Sequence, residues 1–376
     1  MEKARDRSFY IDNLRVLMIA FVVMHHLAVA YSGFGSFPYY DVRHLSKLTT
    51  IWFGFYLSFQ QAYFMGLLFM IAGYFAAASY DRKDLGQFLR GRFKRLVIPT
   101  LIYMVFITQF VEYIELGRNW LQPKPGLMPV FLRFLSGTGV MWFAVALFIF
   151  SVIYGLVRAW RAAPVSNRKQ IKPSLINTVI LILIISVCAF LIRIVQPIGT
   201  NILNMQLCYF ASYIVLFIVG IMAYRNDLFA RISYQTGKTW LICGIVLGLL
   251  AWLVLMKSVG ALSGGLATIK GGLTWGSAGF SVWESFVAVA MSIGLIPVFR
   301  EKFNYQTKLV KTLSDSSFTV YMFHPPILVA VILLFRPVTS LPIIVKWGML
   351  CLICVPLCFA TAHFVIRRIP LLNRVL

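Results

Sequence analysis

Long apolar stretches alternate with short polar links along the whole chain. Ten stretches reach the roughly 20 mostly apolar residues that a helix needs to cross a bilayer core. They are centred near Phe21, Leu68, Met104, Phe148, Ile184, Tyr213, Val246, Val289, Val329 and Leu352. The pattern predicts an all-α fold: a polytopic bundle of about ten transmembrane helices forming a single domain over residues 1–376. Links such as "RAWRAAPVSNRKQIKP", Arg158 to Pro173, are too short for a separate soluble domain. The polar stretch "MEKARDRSFY" precedes the first span, and no small-residue cleavage site follows it, so that span is expected to be a retained helix and not a signal peptide.

Charge gives the spans a direction. With the amino terminus in the cytoplasm and the sides alternating, about two thirds of the 35 Lys and Arg fall on the cytoplasmic side, as the positive-inside rule requires. Both termini are therefore expected in the cytoplasm, and the protein in the cell inner membrane as a multi-pass chain. The densest basic patch on that side is "DRKDLGQFLRGRFKRLVIPT", Asp81 to Thr100.

Composition agrees. The chain is 60% hydrophobic with a mean hydropathy of +0.82, whereas soluble proteins are roughly half apolar. A net charge of +23 would suggest nucleic acid as the partner of a soluble domain. In a membrane protein it reads as a topology signal and a contact with anionic lipid, so no nucleic acid is expected. All six cysteines lie in apolar segments, where a free thiol packs as a small hydrophobe. The "CLIC" at Cys351 to Cys354 has no second ligand pair, and no metal is expected. "TGKT" near Lys238 lacks the upstream glycine of a phosphate-binding loop, and Gly244 and Gly248 suit close helix packing.

Polar groups inside the spans carry the candidate chemistry, since a charge placed mid-helix costs about 2.5 to 3.5 kcal/mol on insertion scales. In "DNLRVLMIAFVVMHHL", Arg15 stands three residues after Asp12, close enough for local neutralisation to compete with a functional role. His26 follows Arg15 by eleven positions, three helical turns, so the two share a face within about 20° while standing ~16 Å apart along the axis. His25 points about 80° away. Glu284, in "FSVWESF", is an acid far from any basic loop, at nearly the same outer depth as His26. If the first and eighth spans are neighbours, the carboxylate is expected to orient the imidazole or to bind acceptor hydroxyls.

A second layer is expected near the cytoplasmic face: Arg15, Arg92 and Arg95 in "RGRFKRL", and His324 in "VYMFHPP", counted about seven residues into the ninth span. Such a cluster suits an anionic ligand, because guanidinium groups bind phosphates bidentately. The competing readings are lipid headgroup contact for Arg92 and Lys94, and for His324 a hydrogen bond to a carbonyl freed by Pro325 and Pro326. His44 and His363, in a loop and at a helix end, are not expected to act. Tyr31, Trp142, Trp275 and Trp283 are candidates for stacking on sugar rings, against the competing reading of an interfacial aromatic belt.

Four stretches in this order resemble the acyltransferase 3 family of integral membrane acyltransferases, whose members acylate envelope and secreted carbohydrates. "IDNLRVLMIAFVVMHH" is similar to the family's Arg-x10-His first helix and "FMIAGYF" to its second-span glycine motif. "RGRFKRLVIPT" resembles the RxxR…P segment, and "LSDSSFTVYMFHPP" the late Tyr-x-x-His-x-Pro motif. Within the family, "HHLAVAYSGFGSFPYY" and "WESF" are most similar to the type that modifies periplasmic glucans with succinyl groups. The resemblance implies that His26 is the essential histidine, Arg15 the motif arginine, Arg92 and Arg95 part of acyl-CoA handling, and His324 the late-motif histidine. His25 is an extra beside the motif.

The expected activity is O-acyl transfer from cytoplasmic acetyl-CoA or succinyl-CoA to a hydroxyl of an envelope or periplasmic glycan. Acyl-CoA serves as donor substrate, with no tightly bound cofactor. His26 is the expected general base, since a neutral imidazole suits that task at physiological pH. Glu284 and His25 complete the catalytic set, and Arg15, Arg92, Arg95 and His324 the donor site. Whether the chain works as a monomer or a homo-oligomer stays open. The alternatives are a proton-coupled transporter or flippase using His26 and Glu284 as a relay, and a non-catalytic membrane sensor.

Overall fold

The computed structural model describes residues 8–111, 137–161 and 173–373; most of the amino-terminal tail and of the Arg158 to Pro173 link lies outside them. Ten helices are long and apolar enough to cross a membrane. They are α1 (Phe9–Ser32), α2 (Lys47–Tyr80), α3 (Leu85–Val111), α4 (Gly139–Trp160), α5 (Leu175–Val195), α6 (Leu207–Asn226), α7 (Tyr234–Ser263), α8 (Trp275–Lys302), α9 (Lys308–Phe335) and α10 (Ile343–Arg368). The fold is an all-α membrane bundle.

Local chemistry sets many of the helix boundaries. The side chains of Ser46, Asp84, Ser174, Ser233, Thr274 and Thr307 each accept a backbone N–H three residues on, satisfying a first-turn donor. "TGKT" thus sits in the first turn of α7, with Thr236 N–H bonded to Ser233. At the other end of α1, Gly33 takes a left-handed conformation and returns its N–H to Val29 O, which closes the helix and turns the chain towards α2.

The basic patch from Asp81 to Thr100 is not a link before a helix centred on Met104. From Leu85 onward it forms the first turns of α3, which contains wide π-type turns at Phe93–Val97 and Tyr103–Ile107 on either side of Pro99. Pro99 has no N–H to give, and such turns are a common way for a helix to absorb that loss.

Small residues let the helices approach. A Cβ on Gly73 would run into Phe217 O, and one on Gly220 into Met70 O, so α2 and α6 cross almost backbone to backbone. The glycine of "FMIAGYF" therefore has a packing role. Gly237, Gly244, Gly248 and Gly294 do the same between α7 and α8, Gly248 also admitting Phe59 of α2. Helix α1 packs against α2, α8, α9 and α10. Exposure separates centre from periphery: 72% of the apolar windows of α2 and α8 is buried within the protein against 17% for α5, whose Leu and Ile face outwards to lipid.

Candidate active site

Helices α1 and α9 start at the same end of the bundle. Tyr10 donates its backbone N–H to Asn304 Oδ1, and Asn13 Nδ2 donates to Phe303 O (2.6 Å) and Tyr305 O (2.9 Å), pinning the start of α1 to the turn before α9. Counted from Phe9 and Lys308, His26 and His324 stand at nearly equal heights, ~25 Å at 1.5 Å per residue. They meet: His324 Nε2 lies 2.9 Å from His26 Nδ1, with the rings 4.9 Å apart and near parallel. The placement of His324 in a cytoplasmic-side arginine layer is therefore corrected, because α9 begins ten residues before its apolar core and carries His324 that much further along the bundle.

The proline pair settles the proton positions. Pro325 cannot donate to the carbonyl of Tyr321, four residues back. His324 Nδ1 occupies that role, 2.9 Å from Tyr321 O and 3.2 Å from Val320 O. Carbonyl oxygens only accept, so Nδ1 of His324 carries the hydrogen and, in the neutral ring, Nε2 is the acceptor. His26 Nδ1 must then donate to it, which leaves Nε2 of His26 as the basic nitrogen. His26 lines a cavity of about 1550 Å³.

Aromatic rings frame the pair. Phe37 stacks on His26 (centroids 5.3 Å apart), and His25 stacks on Phe64 at 5.0 Å and stands edge-on to His26. His25 also lines the cavity, but its Nδ1 is buried without a partner among the described residues. Phe37 belongs to the α1–α2 connection, whose course is held by a buried ion pair between Asp41 Oδ2 and Lys346 Nζ of α10 at 3.0 Å. Lys346 also lies over the Tyr31 ring, while Arg43 reaches Asp41 and the carbonyl of Arg336.

The wall contributed by α5 to α8 is differently built. Glu284 lines the cavity, and α8 does pack against α1, but the carboxylate does not turn to His26. Glu284 Oε2 is bound by Nη2 of Arg193 from α5, whose Nη1 donates to Ser281 Oγ at 3.0 Å. The guanidinium is fully buried and lies over the rings of Phe280 and Tyr209. The expectation that Glu284 orients His26 is corrected: a full positive charge close by on α5 outcompetes a neutral imidazole. Arg193 escapes a sequence reading because it lies two residues from the end of its span and passes for a loop residue. Its signal is the acid itself, since a carboxylate placed deep in a bundle calls for a cation at similar depth.

Arg15, Arg92 and Arg95 do not line this cavity. Arg15 pairs with Asp12 at 3.4 Å within α1. Arg92 donates to Phe75 O of α2 and lies over Phe88, and Arg95 is exposed on the same helix. Of the four proposed stacking residues, Trp142 lines the cavity. Tyr31 is sealed beneath Lys346, Trp283 is buried and donates to Gly248 O across α7 and α8, and Trp275 is exposed on the surface. Among the described residues, no group of three or more His, Cys, Asp or Glu is placed to hold a metal ion.

Comparison with known proteins gives a family match over residues 8–363, to the acyltransferase domain of the acyltransferase 3 group. The glucans biosynthesis protein C of Salmonella paratyphi B and that of Salmonella enteritidis PT4 are each 23% identical to the chain over 342 residues, covering 85% of it and 82% of the relative. The protein of the same name from Salmonella schwarzengrund is 22% identical over 341 residues. No solved structure matches the chain.

Proposed function

Since the chain belongs to the acyltransferase 3 family of multi-pass membrane acyltransferases, we propose that it transfers an acyl group from acyl-CoA to a carbohydrate hydroxyl, with His26 as general base. The observation that carries this reading is the hydrogen-bond chain from Tyr321 O through His324 to His26, which leaves a lone pair on His26 Nε2. In the step we envisage, an acceptor hydroxyl gives its proton to that nitrogen as its oxygen attacks the thioester carbonyl. The imidazolium that forms keeps its Nδ1–H on His324 Nε2. When the tetrahedral adduct collapses, the C–S bond breaks and the thiolate takes the proton back from His26 Nε2, releasing CoA and restoring the base. His324 is then a positioning residue, as a third group is in other nucleophile and base arrangements.

We assign the donor to the end of the bundle where α1 begins, taken as cytoplasmic from the distribution of basic residues. Arg15, Arg92 and Arg95 would meet the CoA phosphates there. Arg15 stands ~16 Å below His26 at helical rise, a length the pantetheine arm spans. The core residues Met18 and Val23, both fully buried, lie between the two levels on α1, so donor entry along this helix requires the helices to part. The acceptor approaches from the opposite, outer side of the inner membrane, and the relatives' name points to a glucan.

The test is to incubate the purified chain in lipid nanodiscs with labelled acetyl-CoA or succinyl-CoA and a glucan, following CoA release and label on the glycan. Transfer that vanishes in His26→Ala supports the reading; glycan movement across the bilayer without transfer overturns it. A proton relay between His26 and Glu284, on which the transporter alternative depends, finds no support in a carboxylate held by Arg193.

A further inference from the structure

The wall of the cavity away from the histidines carries chemistry that the acyl-transfer step does not use. Glu284 presents a carboxylate whose Oε2 is held by Arg193 and whose Oε1 has no hydrogen bond to the described residues. Trp252 of α7 has its indole Nε1–H buried without a partner, on a side chain only 4% exposed that also lines the cavity. Between them α2 and α6 supply Gln61, whose amide donates to Tyr213 OH at 2.8 Å, and Trp142 stacks on the Tyr213 ring with centroids 5.8 Å apart.

Each feature has a ligand requirement. A carboxylate oxygen accepts and so asks for donors; an indole N–H donates and so asks for an acceptor. The aromatic planes ask for an apolar face. Hydroxyl groups satisfy the first two together, and the C–H faces of sugar rings satisfy the third. The phosphate end of CoA fits badly, because the free oxygen of Glu284 offers it no donor and the Arg193 guanidinium is already bound to Glu284 and Ser281. The lysines on the lining, Lys257 and Lys270, are exposed, so the charge they add stays at the mouth. At about 1550 Å³ the space exceeds the range of about 300 to 1,000 Å³ usual for one small ligand. It has room for an acyl group and more than one ring.

We propose that Glu284, held by Arg193, forms with Trp252, Gln61, Tyr213 and Trp142 the binding subsite for a neutral, hydroxyl-rich oligosaccharide acceptor. This rests on the acyltransferase reading for the word acceptor, while the binding itself does not depend on catalysis. The buried Arg193 gives the carboxylate a fixed direction and offsets its charge without a bound cation. It acts through Glu284 and is a positioning residue.

Titration of the full-length chain in nanodiscs with maltopentaose and, separately, laminaripentaose, read by quenching of tryptophan fluorescence, tests the assignment. At least one of the two is expected to quench saturably in the wild type, and Glu284→Gln to raise the half-saturating concentration tenfold or more. Because Glu284→Gln leaves Arg193 buried and uncompensated, the double variant Arg193→Met with Glu284→Leu is measured beside it. Apolar residues of similar volume often replace a buried ion pair with no loss of stability. The subsite predicts that this double variant elutes and melts like the wild type yet binds at least tenfold more weakly. Wild-type binding in the double variant, or no saturable quenching by either sugar in the wild type, overturns the proposal. If sugar binding depends on Glu284 but labelled acyl-CoA is never turned over, the subsite stands and the acyltransferase reading fails.

Discussion

His324 Nε2 stands 2.9 Å from His26 Nδ1, and the carbonyl of Tyr321, 2.9 Å from the other nitrogen of His324, decides which way the proton between them points. A proline in the wall of a helix thus determines the protonation pattern of a base on a different helix. Removing the N–H of residue 325 orphans one carbonyl, and an orphaned buried acceptor costs about 1–3 kcal/mol unless a donor reaches it. The imidazole that reaches it becomes an acceptor at its far side.

The pair should separate by role. His26→Ala is expected to lower kcat for CoA release by 100-fold to 10,000-fold, the usual worth of a general base. His324→Ala should cost about 10-fold to 100-fold, and His25→Ala less than tenfold, because His25 Nδ1 joins neither link of the chain. Steady-state kinetics of the three single variants decides it; a greater loss in His25→Ala would make His25 the base.

Restoring the donor should also be felt. Pro325→Ala supplies an N–H for Tyr321 O, which then competes with His324 Nδ1. The expected outcome is a several-fold fall in kcat with an unchanged KM for donor and acceptor, and a melting temperature no lower than the wild type.

Lys346 and Asp41 hold the loop that carries Phe37 over His26. Removing one partner of a buried pair typically costs about 3–5 kcal/mol, since the other charge stays buried. Lys346→Met or Asp41→Leu alone should therefore lower the melting temperature in detergent markedly. The double variant should recover most of it but not full activity, because Arg43 loses its anchor on Asp41 and the loop is no longer held from α10.

The crossing of α2 and α6 leaves no space for a side chain at Gly220, where a Cβ would meet the carbonyl of Met70. Gly220→Val should cost more than the ~1–3 kcal/mol typical of overpacking, because backbone cannot move aside as a rotamer can. Loss of the monodisperse peak in size-exclusion chromatography would show it, while Gly348→Ala, with open space around it, should behave as wild type.

Residue order alone determined the ten spans, because each must be apolar over a bilayer's thickness, and it determined that His26 stands on the face of Arg15 three turns away, because helical angle and rise are local properties. It also carried the family, through motifs that lie in order along the chain. Neighbours were beyond it. Periodicity says where a side chain points on its own helix and nothing about which helix lies opposite, so the match of His26 with Glu284 was a match of depth only. The tertiary structure gave His26 to His324 and Glu284 to Arg193. Depth misled as well, because "TLSDSSFT" reads as polar and yet remains helical: Thr312 and Ser317 return their hydroxyls to the carbonyls of Lys308 and Leu313 on their own helix. With those hydroxyls satisfied inside the helix, and Thr307 capping it, α9 starts at Lys308, several turns before its apolar core, which carries His324 up beside His26.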